Sequence, residues 1–493
     1  MGGGSGAYLA FDLGAETGRA FLGKLRSGVL EIREIRRFPN EPVEYASGSH
    51  WDVARLWFEM RKALSAVEEI QLAGIGVDAW GVDYALLGER GELLLNPRHY
   101  RDHRNVRAME EVLELLSKGD IYGATGIQFM PINTLNQLFA ASRDTPRVLA
   151  AADRLVMIPD LFHYWMTGNS FCEFTVATTT QFVNPATRTW AAGLLDRLGL
   201  PASLPAHIVE PGSVVGKLLP GIGANGSQRG TPVIAPASHD TASAVAAVTA
   251  RDHTAFLSSG TWSLLGIELD APVITDQALR LNFTNEGGVG GTTRLLKNVM
   301  GLWMLQCCRR SFSDRGHEYS YAELMEAARA APAFHRLVDP DDGSFLNPGD
   351  MPVAVDQFCR KCDQPPPDGP GSYVRTILES LALKYRLVLR NLESLIGRRI
   401  DTIRVVGGGS RNRMLNQFTA DATGRHVLAG PSEAAVLGNI GVQLVATGAV
   451  SSLAEARAII DGSFPAEKFA PRDTEKWDDV AERFEQYCGF TYA

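Results

Sequence analysis

The chain has 493 residues, 45% of them hydrophobic, with 49 glycines and 25 prolines, which is too much apolar material for one core. A net charge of −8 argues against a nucleic-acid partner, and no apolar run reaches membrane length. No basic-then-apolar leader opens the chain and its six cysteines are too sparse for a disulfide scaffold, so a cytoplasmic protein with no membrane partner is expected.

Taken in order, residues 1–6 read as a flexible lead. An apolar strand then runs into Asp12-Leu-Gly-Ala-Glu-Thr-Gly-Arg19 and a second apolar strand, so a hairpin is predicted. Residues 30–38 read as a strand. Residues 53–70 set Leu56, Met60, Leu64 and Val67 on one stripe of an amphipathic helix. A buried strand over 73–77 delivers Asp78-Ala-Trp-Gly-Val-Asp83, and 82–87 return as another strand. Helices are predicted over 104–118 and 133–141, the latter capped by Asn133 or Thr134. Residues 211–232 read as loops. Within them Gly221-Ile-Gly-Ala-Asn-Gly226 has dinucleotide-fingerprint spacing but joins no strand to a helix, so a surface loop is expected. A strand over 233–237 leads into Ser238-His-Asp-Thr241 and an alanine-rich helix over 241–248, after which a domain boundary is placed.

The second half restarts with the same device: apolar strand, Ser258-Ser-Gly-Thr261, apolar strand. A long helix over 373–395 follows. A strand over 403–406 then enters Gly407-Gly-Gly-Ser410, with a helix over 412–423 behind it. Alternating strand and helix signals make this an α/β protein. Cys359-Arg-Lys-Cys362 has no second ligand pair and reads as ordinary reduced thiols.

Glycine-and-hydroxyl hairpins present backbone N–H groups to phosphate oxygens, and two of them suggest two similar domains serving one nucleotide. Asp12 ends a strand before such a turn; it either stabilises the hairpin or faces a phosphate-bound Mg²⁺. Asp240 is either a helix N-cap or the general base for a substrate hydroxyl. Gly407, Gly408 and Gly409 form a tight turn or a bare surface for a nucleotide. Trp80 is either core or an apolar wall for a sugar, with Asp78 or Asp83 accepting from hydroxyls. Trp51, Trp57, Trp165 and Trp190 are expected to be core or surface residues.

Together these segments resemble the FGGY family of carbohydrate kinases, within the actin-like ATPase superfamily. Further matching segments are Tyr100-Arg-Asp102, Gly126-Ile-Gln-Phe129, Ala177-Thr-Thr-Thr-Gln181, Asn285-Glu-Gly-Gly288, Leu296-Lys-Asn-Val-Met-Gly-Leu-Trp303 and Gly438-Asn-Ile-Gly441. The resemblance runs from about residue 9 to beyond residue 441. It implies two actin-like (ribonuclease H-like) ATPase domains with an interdomain cleft: residues 1–248 for sugar and phosphate, 249–493 for nucleotide. It implies Mg²⁺ and ATP, and it is nearest to members that phosphorylate the 1-hydroxyl of L-rhamnulose. L-Fuculose or xylulose kinases are the near alternatives, and an ATPase acting as a binding protein the distant one. By resemblance Asp240 is the proton acceptor, while Gly81, His239, Thr241 and Asn298 join Trp80, Asp78 and Asp83 at the sugar. Ala15, Glu16, Thr17, Gly18, Arg19 and Thr261 touch phosphates, and Gln306 joins Gly407, Gly408 and Gly409 at the nucleotide. Glu16 departs from the small hydroxyl residue that relatives often carry, adding a negative charge near ATP unless Arg19 or a neighbour offsets it.

Overall fold

The computed structural model describes residues 6–222 and 228–488. The lead before Gly6 and most of the 221–226 glycine loop lie outside them. The chain forms two compact units. The first holds residues up to Thr249 together with Glu268–Leu295 and Ala434–Pro465; the second holds Ala250–Ile267, Leu296–Glu433 and the rest from Ala466. Beyond the expected boundary after residue 248, two segments of the later half thus pack with the first unit.

The first unit is built on a six-stranded sheet. Its strands are β1 (Ala7–Leu13), β2 (Thr17–Arg26), β3 (Val29–Pro39), β4 (Leu72–Ala79), β5 (Ser213–Lys217) and β6 (Pro232–Ala235), in the order β5-β6-β4-β1-β2-β3. β1 is buried along its whole length, as expected of a central strand of continuous apolar character. Its pairing sets the geometry that matters. Asp12 lies opposite Arg19 across the antiparallel β1–β2 ladder and beside Asp78 across the parallel β1–β4 ladder. β6 runs parallel to β4, and beyond its end the Ala79 N–H donates to the Ser238 carbonyl at 2.9 Å. Three acidic positions, 12, 78 and 240, thus leave neighbouring strands at the same carboxyl edge, where open α/β sheets bind ligands.

The helix Ala434–Ala446 covers this sheet. Gln443 donates to the Leu9 carbonyl at 3.2 Å and to Asn439 Oδ1 at 2.7 Å. Gly438 lets the helix cross Asp240–Ala246 closely, since a Cβ there would stand 1.7 Å from the Ser243 carbonyl oxygen. Arg457, on the helix Leu453–Ser463, donates to the carbonyls of Val245 and Ala246 and pairs with Glu268 at 2.7 Å. It thereby meets the carbonyl end of the short Asp240–Ala246 helix, where a cation is favoured.

The second unit's strands are β7 (Thr254–Ser259), β8 (Trp262–Leu269), β9 (Thr293–Met300), β10 (Thr402–Val406), β11 (His426–Ala429) and β12 (Glu467–Phe469), ordered β9-β8-β7-β10-β11-β12. β7 and β8 form the second predicted hairpin, and β7 is parallel to β10. The helix Pro370–Ile396 buries Leu381, Ala382, Tyr385 and Leu392 among others, and around it Leu337, Trp477 and Phe484 complete a cluster. Lys384 is buried on that helix and is held by Asp339 at 2.8 Å and Asp341 at 3.0 Å.

Several local expectations change. Residues 211–232 contain the edge strand β5, which a glycine- and proline-rich stretch conceals. Tyr84–Leu87 pairs with Arg154–Met157 and not with the main sheet. The helix expected over 104–118 stops at Leu115, and a new one, Lys118–Thr125, starts from the Ser117 cap.

Candidate active site

At the first hairpin the Gly14 N–H donates to the Thr17 carbonyl at 2.9 Å, and Asn40 braces the turn through Gly14 O at 2.8 Å and Glu16 O at 2.9 Å. Ala15, Glu16 and Thr17 form the tip, with Glu16 and Thr17 exposed. Gly18 is buried against the Phe38 ring, so its smallness serves packing. Arg19 forms an ion pair with Asp12. Beside them Asp78 is fully buried; Asn439 donates to its Oδ2 at 2.6 Å, and its Oδ1 has no partner among the described residues. Burial, followed by the charges of Asp12 and Asp240, holds the Asp78 carboxyl well above the usual carboxylate range.

Asp240 is the first helical residue, and His239 occupies the N-cap position without a side-chain cap bond. The Asp240 carboxylate therefore meets the helix N-terminus from its first turn and not from the N-cap position. Its Oδ1 accepts from the Thr241 N–H at 2.5 Å and from the Thr241 hydroxyl at 3.2 Å, and the side chain is 32% exposed. Burial raises its pKa, with Asp12 adding and His239 opposing. The loop that carries it is fixed from below. Glu173 accepts from the Ser238 N–H at 3.0 Å, and the Thr175 hydroxyl accepts from the His239 N–H at 3.2 Å. Burial pushes Glu173 up to about 8. His239 Nε2 lies 3.4 Å from Asp240 Oδ1, while its Nδ1 lies 3.2 Å from Arg294 Nη2 and 3.4 Å from Glu286 Oε2.

Trp80 is buried and tilts on Trp51 with ring centroids 4.2 Å apart. Asp83 turns inward: Trp51 Nε1 and Trp80 Nε1 donate to its Oδ2 at 2.5 and 2.9 Å, and Gln137 donates to its Oδ1 at 2.8 Å. Asp83 thus anchors the tryptophans and does not offer its carboxylate to a sugar hydroxyl, contrary to the expectation for it. Burial pushes it up to about 7. Between the two, Gly81 packs on Thr179, and Val82 adopts φ +67, a strained conformation for a β-branched residue. Thr179 accepts from the Val82 N–H at 2.9 Å, and Thr134 donates to its carbonyl at 2.5 Å, which holds the strain in place.

In the second unit the Gly260 N–H donates to the Trp262 carbonyl at 2.8 Å, leaving Thr261 at the tip of the hairpin. The glycine triplet divides by role. Gly407 has φ +81, Gly409 is buried on Ser259, and Gly408 is exposed with nothing within 4 Å of a Cβ. Gln306, on the helix Trp303–Asp314, holds a buried Oε1 with no partner among the described residues. Asn298 is half-buried on β9.

The comparisons with known proteins bear on the whole chain. The N-terminal domain of the FGGY family of carbohydrate kinases matches residues 7–247, and its C-terminal domain matches residues 255–447. The chain belongs to the FGGY family of carbohydrate kinases. Among similar FGGY proteins, one from Bacteroides thetaiotaomicron named Rhamnulokinase is 45% identical over 96% of this chain and 97% of its own. Another of that name from Enterococcus faecalis is 42% identical over 93% of each. Of solved structures, xylulose kinase from Lactobacillus acidophilus superposes with a TM-score of 0.80 at 17% identity, covering 98% of this chain and 97% of its own. Plasmodium falciparum glycerol kinase with ADP gives 0.77 at 14% identity over 99% of each. These structures share the FGGY fold.

Sequence reasoning passed over Glu173, Thr175, Glu286, Arg294, Gln137, Asn40 and Asn439 as individual residues. Glu286 and Asn439 lie in segments that carry the family resemblance. The others sit where only tertiary packing shows what they hold.

Proposed function

We propose that this protein transfers the γ-phosphoryl group of ATP to the 1-hydroxyl of L-rhamnulose, with Asp240 as general base. The observation that carries the substrate is the series of relatives named Rhamnulokinase, 38% to 45% identical over 93% to 98% of this chain. The geometry supports the base. A partly exposed carboxylate at the carboxyl edge of the sheet, its basicity raised by burial, is suited to accept the hydroxyl proton as the oxygen attacks phosphorus. Gly81, Trp80, Asp78, His239, Thr241 and Asn298 are assigned to the sugar, with Asp83 behind Trp80. Residues 15–19 and Thr261 are assigned to phosphates, and Gln306 and Gly408 to the nucleotide, with Gly407 and Gly409 shaping that turn.

No group of three metal-ligating side chains occurs among the described residues. We assign Mg²⁺ to Asp12, directly or through water, which suits an ion that keeps most of its waters and binds with phosphates. Bound with ATP, Mg²⁺ neutralises charge on the phosphate oxygens. Measurement of ADP release with a panel of ketoses tests the reading. L-Rhamnulose-dependent release is expected. Preference for L-fuculose or xylulose would move the substrate, and sugar-independent release would remove the kinase assignment.

A further inference from the structure

Arg294 is fully buried, and its Nε donates to the Gly287 carbonyl at 2.8 Å. Its Nη2 stands 3.2 Å from both Glu286 Oε2 and His239 Nδ1. A guanidinium only donates, so the nitrogen it meets on His239 must present a lone pair. Glu286 Oε2, at 3.4 Å from the same nitrogen, would favour a proton there. Arg294 is nearer to Nδ1 and already serves Glu286 as its counter-charge. The ring proton is then on Nε2, 3.4 Å from Asp240 Oδ1. Oδ1 also accepts from both donors of Thr241. Oδ2 has no partner among the described residues.

We propose that Arg294 is a positioning residue: it fixes His239 as the Nε2–H tautomer, whose proton lies on the side of the Asp240 Oδ1 that Thr241 already holds, and leaves Oδ2 as the oxygen that takes the substrate proton. The proposal rests on the reading of Asp240 as general base. Because the His239 backbone is held separately by Thr175, what Arg294 governs is the ring: its orientation and the nitrogen that carries the proton.

The tautomer is read directly in the full-length protein labelled with ¹⁵N-histidine, using long-range proton–nitrogen spectra, with the His239→Gln spectrum assigning the resonance. The expected wild-type pattern is a protonated Nε2 and an unprotonated Nδ1. An Nδ1–H tautomer or an imidazolium overturns the proposal without any variant having to fold. Folded Arg294→Met is expected to lose the single tautomer and to lower kcat about tenfold or more, with ATP KM unchanged. Arg294→Lys, which keeps a donor, is expected to recover part of both. Wild-type kcat and an unchanged tautomer in Arg294→Met would also overturn it. Undiminished turnover in Asp240→Asn beside the expected tautomer would instead remove the general-base reading and, with it, the assignment of Oδ2.

Discussion

Replacing the glycines at 408 and 409 one at a time should separate nucleotide contact from folding. A Cβ at Gly409 would stand 2.0 Å from Ser259 Oγ, 2.6 Å from its Cβ and 2.9 Å from its carbonyl oxygen. The hydroxyl can rotate, but the other two atoms cannot retreat. Ser259 is paired with Ser263 across β7–β8, and Ser258 with Val406 across β7–β10. Overpacking of this kind costs about 1–3 kcal/mol. At roughly 2–4 °C per kcal/mol for a unit of this size, Gly409→Ala should lower Tm by about 2–12 °C. A Cβ at Gly408 meets nothing within 4 Å, so Gly408→Ala should melt within about 2 °C of wild type, as an unstrained exposed change does. Gly408→Val should then raise ATP KM while leaving sugar KM alone, because the branched side chain fills the space assigned to the nucleotide. Thermal melts with and without ATP, together with initial rates at varied ATP and varied sugar, provide the comparison. The reasoning fails if Gly408→Ala is destabilised as much as Gly409→Ala. It also fails if folded Gly408→Val keeps its ATP KM and loses sugar affinity.

Asp240→Asn keeps an oxygen for the Thr241 donors and removes the base; kcat should fall on the order of 10²–10⁴-fold with sugar binding retained, as calorimetric titration will show. Asp12→Ala removes the ion-pair partner of Arg19 and the carboxylate assigned to Mg²⁺; the rate should require more Mg²⁺ for half-saturation, and an unchanged Mg²⁺ titration would leave Asp12 as a hairpin residue only. Asp83 is raised to about 7 in the folded chain, above its ordinary value, so it binds more protons folded than unfolded between roughly pH 4 and 7. Its contribution is therefore present at low pH and is lost as pH rises through 7. Unfolding midpoints of Asp83→Asn in urea should fall less steeply across that window than those of wild type, and parallel slopes would contradict the assignment.

Much of this was legible in the sequence because strand, turn and carboxylate fall within a few residues of one another. Both hairpins, the strand before Asp78, the strand before Ser238 and the long helix over Pro370–Ile396 follow local patterns. What stayed hidden depends on distance along the chain. Asp83 looked available to a sugar because its partners Trp51 and Gln137 lie 32 and 54 residues away. The support beneath Asp240 comes from Glu173 and Arg294, one on each side of it in sequence and neither in a repeated pattern. β5 was hidden by its composition, since an edge strand tolerates the glycine and polar residues that read as loop. The glycine triplet was visible as a triplet, but only packing distinguishes the residue that faces open space from the two that shape the turn.

The return of Ala434–Pro465 to the first unit constrains the order in which a newly made chain can mature. While the ribosome is still translating the second unit, Asp78 lacks the amide of Asn439, and the sheet beneath Leu9 lacks Gln443. The first unit thus reaches its native state only after some 465 residues have emerged, although its first 249 were made long before. A fragment ending at residue 248 should for the same reason be a poor substitute for the unit, however well its strands pair. Residues 1–249 joined through short linkers to 268–295 and 434–465 would be the smaller piece expected to fold.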